Sequence, residues 1–139
     1  MKVLFDTSAL YKRYNQEAGS EQVREITART RELVVAAHCK TEIASAINRQ
    51  RHDGLVAQDE YTRIMSAVHE DFSAFSRLDL DGRVEAFAIA AMERSRLRAV
   101  DALHIATAQA SRVDLFVTAD RRQAAAAQAA GLHIELVQA

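Results

Sequence analysis

The chain has 139 residues and a mass of 15.4 kDa, with 49% apolar and 27% charged residues and a formal net charge of −1. That length predicts a single domain over 1–139, and the composition excludes disordered and collagen-like chains. The longest apolar run, Ala86 to Met92, is far shorter than the roughly 20 residues a bilayer requires, so no membrane association is expected.

Lys2-Val-Leu-Phe5 is an apolar run stopped by Asp6-Thr7-Ser8, which reads as a buried strand feeding a helix start. It is also too short for a signal-peptide core. Ser20 to Thr30 is predicted helical, with Ser20 as N-cap, and Leu33 to Ala36 is a second buried strand. Cys39, the single cysteine, can make neither an internal disulfide nor a Cys-based zinc site; the expected location is a reducing cytoplasm and its expected role a small buried filler. Lys40 to Asp53 is a helix ended by Gly54. In the next helix, about Gln58 to Phe75, the residues Tyr61, Ile64, Met65, Val68 and Phe72 follow three-and-four spacing, as a core stripe or in part as a face for a partner. A brief strand at Leu78-Asp79-Leu80 precedes helices at Arg83 to Arg96 and Ala102 to Ser111. Asp114 to Thr118 is a strand, Arg121 to Ala130 a helix closed by Gly131, and Leu132 to Leu136 a strand with one exposed face. Short apolar strands between helices predict an α/β fold, a mainly parallel sheet of about five short strands with helices on both faces and right-handed crossovers.

Four acids stand in matching contexts. Asp6 and Asp120 each follow a strand and open a helix; Asp101 stands at a helix start; Glu42 lies in the first turn of the helix after the second strand. Taken singly, each is an ordinary helix-capping acid. A parallel sheet changes the weighing, because the carboxyl ends of its strands share one edge, where ligands bind. Several carboxylates in one crevice repel each other unless a divalent cation compensates them. Oxygen-only ligation favours Mg²⁺ or Mn²⁺ over zinc, and such an ion activates water for phosphodiester hydrolysis. With four carboxylates set aside, the eighteen Lys and Arg outnumber the remaining acids, a weakly basic surround suited to a polyanion.

Phe5-Asp6-Thr7-Ser8, Thr41-Glu42, Arg98-Ala-Val-Asp101-Ala-Leu-His-Ile-Ala-Thr-Ala108 and Val117-Thr-Ala-Asp120-Arg-Arg122 together resemble the PIN-domain family, and within it VapC-type toxins of bacterial toxin–antitoxin pairs. The resemblance spans nearly the whole chain. It implies a metal-dependent endoribonuclease whose catalytic and metal-binding residues are Asp6, Glu42, Asp101 and Asp120. Thr7, Ser8 and Thr118 would orient carboxylates or waters, with RNA as substrate, Mg²⁺ or Mn²⁺ as cofactor, a cognate antitoxin as inhibitor and a homodimer as assembly.

His104, three residues after Asp101, is read as a structural histidine hydrogen-bonded near the site rather than as a ligand; His38, His52, His69 and His133 have no motif context. Arg121 and Arg122 are candidate contacts to RNA phosphates. Lys12, Arg13, Arg49, Arg51, Arg94, Arg96 and Arg98 are weaker basic candidates, since a run of charge is usually only solvated. Two alternatives stand beside the nuclease. A phosphatase with Asp6 as nucleophile would normally carry a second acid where this chain has Ser8. A non-catalytic interaction module would use the four acids only as caps.

Overall fold

The computed structural model describes residues 1–139. Strand β1 (Lys2–Phe5) leads into a short helix α1 (Thr7–Leu10) and a 3₁₀ turn at Tyr11–Arg13, followed by α2 (Ser20–Ala28) and β2 (Glu32–Ala36). Then come α3 (Cys39–His52), α4 (Gln58–Ala74), β3 (Ser76–Leu78), α5 (Gly82–Arg94), α6 (Ala99–Ser111), β4 (Leu115–Thr118), α7 (Arg121–Ala129) and β5 (Ile134–Leu136).

All four strand pairings are parallel, in the order β3-β2-β1-β4-β5. Alternation along each strand splits the core in two. Val3, Phe5, Val35 and Val117 face α1–α4, with Val23, Ile43, Ile47, Val68 and Phe72. Leu4, Val34 and Phe116 face α5–α7, with Val84, Ile105 and Ala127. Both faces are therefore buried, which is why β1, β2 and β4 read as continuous apolar runs rather than alternating ones. The chain steps outward from β1 to β3, then returns to the other side of β1 to lay down β4 and β5. The order reverses between β1 and β4, and in open parallel sheets ligands bind at the carboxyl ends of the strands beside such a reversal.

Element types follow the sequence reading, with three local corrections. The third strand lies at Ser76–Leu78, not at 78–80: it is an edge strand pairing with Val34–Ala36, and its polar Ser76 and Arg77 hid it. The helix carrying Asp101 begins at Ala99, so Asp101 falls inside its first turn. Ser20 is not the N-cap of α2; Gly19 is, at φ 88°. The buried Ser20 hydroxyl instead accepts from the Glu17 amide and donates to backbone oxygens of Lys12 (2.9 Å) and Asn15 (3.1 Å), closing the loop before α2. Tyr61, Ile64 and Met65 of the α4 stripe are partly buried against the same core that Val68 and Phe72 enter.

Candidate active site

Asp6 leaves β1 at its carboxyl end and caps α1. It is buried, 4% exposed, and both of its oxygens are engaged. Ser8 Oγ donates to Oδ1 (2.7 Å), the Ala9 amide donates to Oδ1 (3.1 Å), and Thr118 Oγ1 donates to Oδ2 (2.5 Å). The two hydroxyls also accept from the loop after β4: Ser8 from the Ala119 amide and Thr118 from the Asp120 amide, both at 3.0 Å. Each hydroxyl thus relays the position of that loop to one oxygen of Asp6. Burial lifts the Asp6 pKa above its ordinary value; a protonated His104 and the bonds from Thr118, Ser8 and Ala9 oppose the rise without cancelling it. A costly buried carboxylate with no Lys or Arg partner invites a cation.

Glu42 stands one turn into α3. Its Oε1 accepts from Thr7 Oγ1 (2.6 Å) and lies 2.9 Å from His104 Nε2 and 3.4 Å from His38 Nε2. Burial tends to raise the Glu42 pKa, but the bonds from His104 and Thr7 and the charge of both imidazoles outweigh it and hold the group below its ordinary value. His38 is pushed the opposite way from a typical ion-paired histidine: burial and the neighbouring His104 lower its pKa, more than Glu42 raises it. Cys39 packs beneath, 3.6 Å from Thr7 Oγ1, and burial drives its thiol up to about 12, so it is an inert filler as expected.

Asp120 and Asp101 line an open groove of about 960 Å³ with Arg96, Arg98, Arg122 and Gln123. Asp120 Oδ1 caps α7, accepting from the Arg122 (2.8 Å) and Gln123 (3.3 Å) amides. Arg98 Nε donates to Asp101 Oδ2 (3.2 Å) from an exposed position. Two side chains tie the walls together. Gln123 Nε2 donates to the Asp101 carbonyl (2.9 Å), joining α7 to α6, and His38 Nε2 bonds the Val100 carbonyl (2.9 Å), joining α6 to α3.

The starts of α1, α3, α6 and α7 are therefore cross-linked at one end of the sheet, but the four carboxylates do not touch. Among the acids and histidines, the one set of three with ligand atoms all within 4.8 Å of one another is His38, Glu42 and His104. The donor chemistry suits a hard divalent cation all the same. Glu42 Oε2, Asp101 Oδ1 and Asp120 Oδ2 accept no hydrogen bond and remain available beside Asp6.

The hydroxyls of Ser8 and Thr118 bond Asp6, that of Thr7 bonds Glu42, and His104 is hydrogen-bonded to Glu42. Arg121 and Arg122 are both exposed at the start of α7. Besides Arg98, which bonds Asp101, three of the weaker basic candidates have other employment. Lys12 is buried on Glu17 and the Ala18 carbonyl, Arg13 pairs with Asp71, and Arg51 bonds Asn48 and lies over the Tyr61 ring. Sequence reasoning missed His38 and Gln123. The i, i+4 spacing of His38 and Glu42 was the available signal for the first; nothing in the sequence pointed to the second, whose role is a contact between helices far apart in the chain.

A family model described as PIN domain matches residues 3–129. No curated protein sequence matches the chain. Among solved structures, the chain is similar to FitAcB from Neisseria gonorrhoeae, at 15% identity and a TM-score of 0.75 over 95% of each chain. PAE2754 from Pyrobaculum aerophilum is 25% identical, with a TM-score of 0.69 over 96% of this chain and 83% of that one. VapC20 from Mycobacterium tuberculosis, described as a sarcin–ricin loop cleaving toxin, is 16% identical, with a TM-score of 0.69 over 89% of this chain and 94% of that one.

Proposed function

Because the chain belongs to the PIN domain family, we propose that it is a Mg²⁺- or Mn²⁺-dependent endoribonuclease and the toxin of a type II toxin–antitoxin pair. The observation that carries the reading is the buried Asp6. Its carboxylate lies at the β1/β4 reversal without a basic side chain to pair it, and its two oxygens are held by hydroxyls that also hold the loop carrying Asp120. Asp6, Glu42, Asp101 and Asp120 would hold the ion. Bound there, it would supply a water of lowered pKa and neutralise charge on the leaving oxygen.

The chain's own residues supply the rest. Ser8 and Thr118 lock the Asp6 rotamer, and Thr7 and His104 do the same for Glu42, so that the carboxylates are oriented before substrate arrives. Arg122 lines the groove beside Asp101 and Asp120, and Arg121 stands next to it; both can take RNA phosphates on either side of the scissile bond. An Asp6-nucleophile phosphatase is less well supported, because both Asp6 oxygens are tied down by donors. Partnership with an antitoxin and homodimer formation are proposed from the likeness to the neighbours described as toxin–antitoxin structures, among them a complex from Klebsiella pneumoniae. The cytoplasm follows from the same reading.

The test is digestion of defined RNAs by the purified chain. EDTA should stop cleavage and Mg²⁺ or Mn²⁺ restore it. Asp120→Asn should reduce the rate by at least ~100-fold with the circular-dichroism spectrum unchanged. Unaltered cleavage by Asp120→Asn would sink the assignment.

A further inference from the structure

We propose that His38, Glu42 and His104 form a binding site for a divalent transition metal of the Zn²⁺, Co²⁺ or Ni²⁺ class, adjacent to the acidic crevice and sharing Glu42 with it. The three ligand atoms, His38 Nε2, Glu42 Oε1 and His104 Nε2, all lie within 4.8 Å of one another. Glu42 Oε1 is 3.4 Å from the first imidazole nitrogen and 2.9 Å from the second. Metal–ligand bonds of about 2.0–2.1 Å at tetrahedral angles set neighbouring ligand atoms about 3.4 Å apart, so small side-chain adjustments suffice to close the site around an ion. The two rings converge, with centroids 4.4 Å apart and planes tilted by 44°. Glu42 comes from the first turn of α3, His38 is the residue that caps that helix, and the buried His104 comes from α6, so two of the three ligands are anchored on helices and the third at a helix end.

Donor identity sets the class of ion. Two imidazoles and one carboxylate suit Zn²⁺, Co²⁺ and Ni²⁺, whereas Mg²⁺ prefers oxygen and retains its waters. Without metal, the same atoms satisfy their neighbours: His38 Nε2 donates to the Val100 carbonyl and His104 Nε2 to Glu42. Coordination needs both Nε2 lone pairs. Each Nε2 proton therefore leaves to solvent as the ion enters, and each ring ligates as the neutral imidazole whose one proton is on Nδ1. His104 Nδ1 is buried without a partner, so the site lacks the outer acceptor that strengthens a closed structural zinc site, and its affinity is correspondingly reversible. Resting on the nuclease reading, there is a functional consequence: an ion here competes for Glu42 and slows Mg²⁺-dependent cleavage.

The experiment is a titration of the full chain with Co²⁺, read by its visible ligand-field absorption, followed by displacement with Zn²⁺. One equivalent should saturate the parent, and Mg²⁺ should displace it only in large excess, as competition for the shared Glu42 requires. His38→Ala and His104→Gln should each weaken binding by more than about 100-fold, beyond the loss that removal of an outer-shell partner causes. His104→Gln keeps a donor toward Glu42, so a loss there reports the missing imidazole rather than a collapsed helix; circular dichroism confirms the fold. Asp120→Asn should bind Co²⁺ as the parent does. Parent-like binding by either histidine variant, or loss of binding in Asp120→Asn, would overturn the site. None of these readouts uses RNA, so failure of the nuclease assignment leaves the binding result intact, and the reverse holds as well.

Discussion

Asp6 and Glu42 respond to pH in opposite senses, although both are carboxylates at helix starts and Thr7 and Ser8 of α1 bond one each. The fold holds the Asp6 proton more firmly than the unfolded chain does. Asp6 therefore favours the fold below the ordinary aspartate pKa, and that advantage is lost as pH rises through the raised value. Glu42 is held below its ordinary value, so its ionised form stabilises the fold at neutral pH, and this contribution is lost as pH falls through the lowered value. Asp6→Asn should therefore raise the thermal midpoint of the metal-free chain at pH 7, because it removes a buried charge. Glu42→Gln should lower the midpoint at pH 7, with the difference closing as pH falls through the lowered Glu42 value. Scanning calorimetry in chelator measures both; a less stable Asp6→Asn at neutral pH contradicts the account of the buried charge.

At the scale of elements, two chain reversals are held by backbone conformations that side chains resist. Helix α6 ends on Arg112 at φ 54° and ψ 52°, a left-handed cap occupied by a non-glycine residue. Arg112→Gly removes a strain of about 1–2 kcal/mol and adds back part of it as freedom of the unfolded chain. A net gain of ~0.5–1 kcal/mol is expected, read as a higher urea midpoint at unchanged slope. Gly19 is the opposite case. It has φ 88°, and a Cβ there would stand 2.3 Å from the Gln138 carbonyl oxygen, whereas Gly54 and Gly131 face open space. Gly19→Ala should therefore cost clearly more than Gly54→Ala and loosen the Gln138 amide from Gln22 Oε1.

For the molecule as a whole, the net charge of −1 means that RNA affinity must come from where the cations lie, not from their number. Arg122 lines the groove and Arg121 is exposed beside it. If each neutralises one phosphate, binding of single-stranded RNA weakens as salt rises. The Arg121→Ala and Arg122→Ala variants should then each reduce the logarithmic slope by about 0.7. Filter binding across a salt series measures this, and unchanged slopes would remove both residues from the RNA path.

The parallel architecture and the two helix-capping acids that follow strands, Asp6 and Asp120, were legible in the linear chain for a physical reason. A strand buried on both faces must be apolar throughout, and an acid after it that caps a helix is a local pattern, as in Leu4-Phe5-Asp6 and Val117-Thr118-Ala119-Asp120. The edge strand Ser76–Leu78 was expected two residues too late, at 78–80, because an edge tolerates polar residues such as Ser76 and Arg77. Contacts between distant segments were equally hidden. Neither the coupling of Asp6 to the Asp120 loop through Ser8 and Thr118, nor the approach of His104 to Glu42, leaves any periodicity in sequence. Local order follows from which residues are neighbours in the chain. The electrostatics of this site follow from which helices the sheet brings end to end, because a carboxylate's pKa and partners are set by what surrounds it after packing.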